Sequence, residues 1–395
     1  MDITLGNIIY SDEMNSSEKG EHMKNISVLI KPASSLCNMR CRYCFYADVS
    51  TLRSVASYGM MDISIMEKIV DNIYHDLSNG DNLTIAFQGG EPMLAGLEYF
   101  RNFVAYVKKQ PTRINVKWSL QTNGILLNGD WCSFLRENQF LVGLSLDGDA
   151  ALHNAYRRQS DGRGTWNKVM HSKRLLDKYG VEYNILTVLT ETAAKHPQKI
   201  WNFMLRENIR YVQFIPCLDN LDATNKSPFS ITPRRIFSFY ETLFQLWKCE
   251  VENGRYISVR FFDDIVNLFG LHRVTSCGQN GQCHKQFVVE SNGGVYPCDF
   301  YVLDEWLLGN LTQDTLLQST VLLRQKEFIL YDRKEQDNCK VCSFRSHCAG
   351  GCKRMRNAIY FDAKDGFCGL QAFLDSYLYE LCQIGIRITR GEIGS

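Results

Sequence analysis

The chain has 395 residues, 45% hydrophobic and 22% charged, with 44 Lys plus Arg against 43 Asp plus Glu and a formal net charge of +1. This is the balance of an ordinary globular protein of about two or three domains, with no bulk electrostatic pull toward nucleic acid or an anionic membrane. Fifteen cysteines, no apolar signal core at the start and no run of 18 apolar residues argue against a secreted disulfide framework and a membrane span; reduced thiols, metal and a cytoplasmic setting are expected instead.

Residues 1–25 read as a weakly ordered leader with little to bury, and Met23 is an alternative start. Apolar runs then alternate with segments of helical period. Strands are expected at Val28–Lys31, Leu83–Phe87, Val116–Gln121, Leu141–Leu146, Glu182–Leu189 and Tyr211–Ile215, and helices at Ile63–Leu77, Leu97–Lys108, Gly129–Asn138, Trp166–Tyr179 and His196–Glu207. Such alternation gives a parallel sheet with right-handed crossovers. The six strands imply an α/β fold, a partial (β/α)6 TIM-like barrel over 26–233, with its chemistry on the loops that follow the strands. Pro216–Pro233 breaks the alternation, and a long amphipathic helix, Arg234–Glu252, opens a linking region at 234–270. From 271 to 385, before a tail at 386–395, glycine and cysteine become dense and regular alternation stops. That region reads as stapled by metal, without a large apolar core.

The first strand leads into Cys37-x3-Cys41-x2-Cys44. Thiolates suit iron–sulfur clusters or zinc, and three of them on a four-iron cubane leave one iron without a protein ligand. On these residues alone, a zinc knuckle or three unrelated buried cysteines remain alternatives. The second strand runs into Phe87-Gln88-Gly89-Gly90-Glu91-Pro92, whose glycines let the backbone approach a ligand and offer carbonyls to an ammonium. The third strand ends in Gln121-Thr122-Asn123-Gly124 and the fourth in Ser145-Leu146-Asp147-Gly148. Both put small polar groups at one rim, where ribose or carboxylate contacts are expected and a simple turn is the alternative.

The C-terminal region carries Cys277, Cys283-x9-Gly293-x4-Cys298 and Cys339-x2-Cys342-x5-Cys348-x3-Cys352-x15-Cys368. Eight thiolates complete two four-cysteine sites, which leaves no open iron and suits electron carriers that also staple the fold. Two zinc ribbons are the alternative. Of the remaining thiols, Cys132, Cys249 and Cys382 fall in helical patterns and are expected as small core residues, while Cys217 follows a strand. Asp299 stands beside Cys298, either as a plain hydrogen-bonding carboxylate or as a group acting at a redox centre.

The three-cysteine loop, its Tyr43, and the Gly-Gly-Glu-Pro turn one strand later together resemble the radical S-adenosylmethionine (SAM) superfamily. The C-terminal cysteines resemble the SPASM extension of its peptide-modifying members. Cys298-Asp299-Phe300-Tyr301-Val302 after a Gly-x-x-Tyr-Pro turn, with Gln88 before the two glycines and Cys44-Phe45-Tyr46, narrows the resemblance to the anaerobic sulfatase-maturating enzymes, over about Asn25 to Leu381. The resemblance implies three 4Fe-4S clusters and S-adenosyl-L-methionine as cofactors. Cys37, Cys41 and Cys44 would hold the cluster whose open iron chelates SAM. Cys277, Cys283, Cys298 and Cys352 would hold one auxiliary cluster, and Cys339, Cys342, Cys348 and Cys368 the other. Tyr43, Tyr46, Gln88, Gly89, Gly90, Glu91 and the rim residue Ser145 are the expected pocket contacts, and Asp299 takes the role of general base.

The implied activity is that of an oxidoreductase acting on a sulfatase polypeptide. A 5′-deoxyadenosyl radical removes hydrogen from Cβ of a cysteine or serine, Asp299 takes the thiol or hydroxyl proton, and the remaining electron leaves by the nearer auxiliary cluster, giving formylglycine. The implied partners are the sulfatase and an electron donor such as flavodoxin or ferredoxin, with no nucleic acid and no membrane. Two other readings are carried alongside. One is a radical SAM maturase of ribosomally made peptides that forms thioether or other cross-links, for whose usual leader-binding domain the 36 residues before Cys37 leave no room. The other is a zinc-ribbon scaffold without chemistry.

Overall fold

The computed structural model describes residues 23–332, 336–362 and 364–393. Most of the expected leader and the last two residues of the expected tail lie outside the described residues.

Seven strands run parallel in chain order: β1 (Asn25–Ile30), β2 (Asn82–Phe87), β3 (Asn115–Thr122), β4 (Phe140–Ser145), β5 (Tyr183–Leu189), β6 (Tyr211–Pro216) and β7 (Ser258–Val259). All six expected strands are present within a few residues. The seventh is two residues long, too short to carry a period. Along β1, Ile26, Val28 and Ile30 are buried on the helical side, while Ser27 and Leu29 face the other way and are only partly covered. In β2 the same alternation sends Phe87 outward against Phe100 and Phe103, with ring centroids at 4.8 and 5.1 Å. The next residue, Gln88, is thereby turned into the interior of the partial barrel.

The helices that cover the sheet are α1 (Phe45–Thr51), α2 (Ile63–His75), α3 (Leu97–Lys109), α4 (Gly129–Glu137), α5 (Ala150–Tyr156), α6 (Trp166–Tyr179), α7 (Pro197–Arg206) and α8 (Pro233–Glu252). Helices α1 and α5 were not expected. Each has seven residues and follows a site loop directly.

The sheet does not stop at residue 270. Strand β8 (Phe287–Val289) pairs in parallel with β1, matching Val28 to Phe287 and Ile30 to Val289, and β9 (Gly294–Tyr296) and β10 (Gly309–Asn310) continue it antiparallel. The cysteine-rich region is thus built onto the open edge of the barrel, and Leu311, Leu316 and Val321 join the main apolar core. A C-terminal helix, Gly369–Thr389, runs through the expected start of the tail. Its Phe373 and Tyr377 pack on Phe262 and Phe244 at 5.9 and 5.0 Å, which fastens the end of the chain to α8 and the segment after β7. Among the described residues no helix is long and apolar enough to cross a membrane.

Candidate active site

Cys37, Cys41 and Cys44 lie on the loop after β1, and α1 starts immediately after Cys44. The loop is held from two sides. Its backbone runs beside residues 156–159, with the Arg40 N–H donating to the Arg158 carbonyl at 2.8 Å and the Arg42 N–H to the Tyr156 carbonyl at 3.1 Å. From the turn after β3, the Asn123 amide donates to Asn38 Oδ1 at 2.8 Å. Beneath it lies a buried ion pair, Arg157 Nε to Asp147 Oδ2 at 2.9 Å, and the Tyr43 hydroxyl donates to the same carboxylate oxygen. The Val188 N–H occupies the other oxygen at 2.9 Å. Tyr43 therefore anchors the loop, and Asp147 carries more of this rim than a turn residue would. Burial pushes the Cys37 thiol up to about 11 and the Cys41 thiol to about 12, with Arg157 pulling the latter back. Thiols in this state bind metal with release of their protons.

The turn after β2 needs its glycines. Gly89 and Gly90 both have positive φ, and a Cβ on Gly90 would stand 2.2 Å from the Leu36 carbonyl oxygen. Glu91 is only 1% exposed. Its carboxylate accepts from Met93 N at 3.1 Å, Thr122 Oγ1 at 2.8 Å and Asn123 N at 2.8 Å, so it ties the turn to β3. Burial raises its pKa to about 7 against these three bonds. Ser145 accepts from Gln121 Nε2 at 3.0 Å at the ends of β4 and β3.

Asp299 is brought to this rim from the far end of the sequence. Strands β8 and β9 extend the sheet past β1. The turn after β9 then packs on α1 through Phe45 and Phe300, at 4.9 Å, and through Val49, Val288 and Val302. The Tyr46 hydroxyl donates to Asp299 Oδ2 at 2.5 Å, and Gln88 Nε2 donates to the same oxygen at 3.0 Å and to the Tyr46 oxygen at 2.7 Å. Asp299 is 8% exposed, and its Oδ1 is buried without a hydrogen-bond partner. Burial raises its pKa, while Lys31, Tyr46 and Gln88 act the other way. Lys31 sits 4.8 Å over the Tyr46 ring and 3.4 Å from Glu290, which also binds Arg53 at 2.6 Å. A carboxylate fixed through one oxygen, with the other unpaired, is placed to accept a proton from a bound group.

Several of the C-terminal cysteines lie near one another. Cys298 is raised by burial and then by its neighbours Cys352 and Cys277. Gly278 brings the Cys277 turn against Cys352, 2.7 Å being left for an added Cβ. Lys353, whose ammonium is lowered by burial, is held up by Cys283, Cys298 and Cys352. Cys339, Cys342, Cys348 and Cys368 line one cleft with Phe344 and Tyr360. Four thiols lining one cleft are a donor set that fits a four-iron cluster.

Lys31, Arg53 and Glu290 were not singled out in the sequence, and Asn123 stood there only within the Gln121–Gly124 rim motif. A strand-end position was the signal for Lys31; Arg53 and Glu290 become site residues through packing. Of the spare thiols, Cys132 is buried as expected, but Cys249 is exposed. It lies on the outward face of α8, where its sulfur accepts from Asn253 Nδ2 at 3.6 Å.

Residues 32–198 match the Radical SAM superfamily and residues 277–348 an iron-sulfur cluster-binding domain, SPASM. The cysteine-type anaerobic sulfatase-maturating enzyme of Clostridium novyi is 43% identical over 84% of this chain and 89% of its own. The serine-type enzyme of Bacteroides thetaiotaomicron is 29% identical over 89% of this chain and 88% of its own. A solved structure, native anSMEcpe with bound AdoMet and Cp18Cys peptide, superimposes with a TM-score of 0.82 at 38% identity, covering 92% of this chain and 99% of that one. With that extent of identity, and the carboxylate of Asp299 set at the rim of the cysteine loop, the chain belongs to the anaerobic sulfatase-maturating enzymes of the radical SAM superfamily.

Proposed function

We propose that this protein oxidises a side chain of a sulfatase polypeptide, cysteine in preference to serine, to formylglycine. The observation that carries the reading is Asp299: buried, anchored through Oδ2 by Tyr46 and Gln88, unpaired at Oδ1. The preference for cysteine is supported by 43% identity to a cysteine-type relative against 29% to a serine-type one. When bound at Cys37, Cys41 and Cys44, a four-iron cluster with SAM supplies one-electron reductive cleavage and hydrogen-atom abstraction. The chain's own residues supply the rest. Asp299 takes the substrate thiol proton as Cβ loses its hydrogen atom, and Tyr46 and Gln88 keep the carboxylate oriented. The cysteines around Cys298, next to Asp299 in the chain, would hold a cluster whose chemistry is to take up the second electron, and the resulting thioaldehyde takes up water and releases hydrogen sulfide. Tyr43, Gly89, Gly90 and Ser145 shape the pocket; Glu91 holds its turn from behind.

The same reading assigns Cys277, Cys283, Cys298 and Cys352 to one auxiliary cluster, and Cys339, Cys342, Cys348 and Cys368 to the other. It also places the chain in the cytoplasm with a flavodoxin- or ferredoxin-type donor, supported by fifteen cysteines with none in a disulfide. The test is mass analysis of a Cys-x-Pro-x-Arg peptide after anaerobic incubation with SAM and reductant. Conversion of cysteine to the aldehyde is expected, and an unchanged peptide alongside cleaved SAM would overturn the reading.

A further inference from the structure

Each turnover in the proposed function begins with an electron entering the cluster at the cysteine loop, so a donor must reach that loop from outside. The surface there is unusual for a chain whose net charge is only +1. Residues 39–42 lie antiparallel to 156–159, with Met39 opposite Gln159. Along the second segment Arg157 points inward to Asp147, and Arg158 is exposed. Arg40 and Arg42, on the first segment, are exposed as well. Three guanidiniums thus gather on the outer side of the loop, two of them between the cysteines themselves.

None of the three meets a carboxylate among the described residues. Arg40 donates to the carbonyls of Cys37 and Met39 at 3.0 and 2.9 Å, and Arg158 to those of Asn154 and Gly162 at 2.8 and 3.1 Å. Arg42 has no side-chain partner among the described residues. Nearby cations are compensated, Arg163 by Asp161 at 2.5 Å and Lys199 by Asp149 at 2.9 Å. The uncompensated charge is therefore local, and two of its three members are held in place by backbone carbonyls.

Resting on the proposed function, we infer that Arg40, Arg42 and Arg158 form the docking face for an acidic one-electron carrier protein. Such encounters use small, transient interfaces in which charge complementarity sets approach and orientation more than it sets affinity. A positive face over the loop brings the carrier's redox group to the shortest path to the thiolates, and the attraction weakens with salt.

The test is a double charge reversal, Arg42→Glu with Arg158→Glu, beside the milder Arg42→Gln with Arg158→Gln, in anaerobic holoenzyme of unchanged iron content. Flavodoxin serves as the acidic carrier. Its dissociation constant is measured at low ionic strength, and release of 5′-deoxyadenosine is driven either by reduced flavodoxin or by dithionite. The expected result is flavodoxin binding weakened tenfold or more by the Glu pair and less by the Gln pair, a flattened salt dependence, slowed flavodoxin-driven release, and dithionite-driven release within about twofold of wild type. Unchanged flavodoxin binding, or equal losses with both reductants, would overturn the inference. So would a raised KM for the sulfatase peptide at unchanged carrier binding, since the face would then belong to the substrate. Weakened binding in a protein that makes no formylglycine would retain the docking face and discard the peptide activity instead.

Discussion

Asp299 and Glu91 are both buried carboxylates near one rim, yet they have opposite assignments, because their oxygens are spent differently. Glu91 has three donors within 3.1 Å, whereas Asp299 keeps one oxygen unpaired. Asp299→Asn should therefore lower formylglycine formation by about 10²–10⁴-fold while 5′-deoxyadenosine release persists at unchanged iron content; equal loss of both would remove the base from Asp299. Glu91 makes a prediction about stability. Its folded pKa of about 7 lies above the ordinary 4.5, so the folded chain keeps the proton longer than the unfolded one. Stability is then lost as pH rises from about 4.5 to about 7, by up to about 3 kcal/mol. The thermal midpoint of wild type should fall across that window relative to Glu91→Gln, which cannot ionise; parallel curves would show that Glu91 does not titrate there. The resemblance gave Asp299 the role of base and Glu91 that of a pocket contact; that Glu91 braces its turn depends on Thr122 and Asn123, 31 and 32 positions away.

At the scale of elements, the barrel was legible almost strand for strand. Its strands alternate buried and partly covered positions with period two, and the helices between them carry a clear 3.6-residue period. Short elements were not legible. Helix α1 has seven residues and a single buried position, Val49, yet it delivers Tyr46 to Asp299. The Gly-Gly turn shows why some short stretches can be read all the same: their geometry admits one residue type. In Gly90→Ala the new methyl would meet the Leu36 backbone at 2.2 Å, which no side-chain movement relieves. The loop bearing Cys37 would have to shift, and the purified variant should lose about four of about twelve irons per chain. Full iron content with normal SAM cleavage would show that the turn is not required there.

For the whole molecule, the cysteine-rich region is more than an appendage. Strand β8 covers the exposed edge of β1, and the aromatic contacts of Phe373 and Tyr377 hold the C-terminal helix on the barrel. A fragment ending at residue 270 would leave β1 with an unpaired edge and Phe262 and Phe244 uncovered. Such a fragment should be recovered as aggregate, and a soluble, monomeric fragment with native far-ultraviolet dichroism would show that the barrel closes without its extension.

The chain by itself determined the spacing of its cysteines, the strand–helix alternation and the Gly-Gly turn, because each depends on residue type and spacing over a few positions. It also placed Asp299 beside a cysteine. Only the tertiary structure decided that Asp299 faces Tyr46 and Gln88, that Glu91 faces inward, and that Arg40, Arg42 and Arg158 share one uncompensated surface. Those outcomes turn on which side chains the sheet register and the crossovers bring within hydrogen-bonding or Coulombic range, and such distances between remote residues are set by packing, not by local pattern.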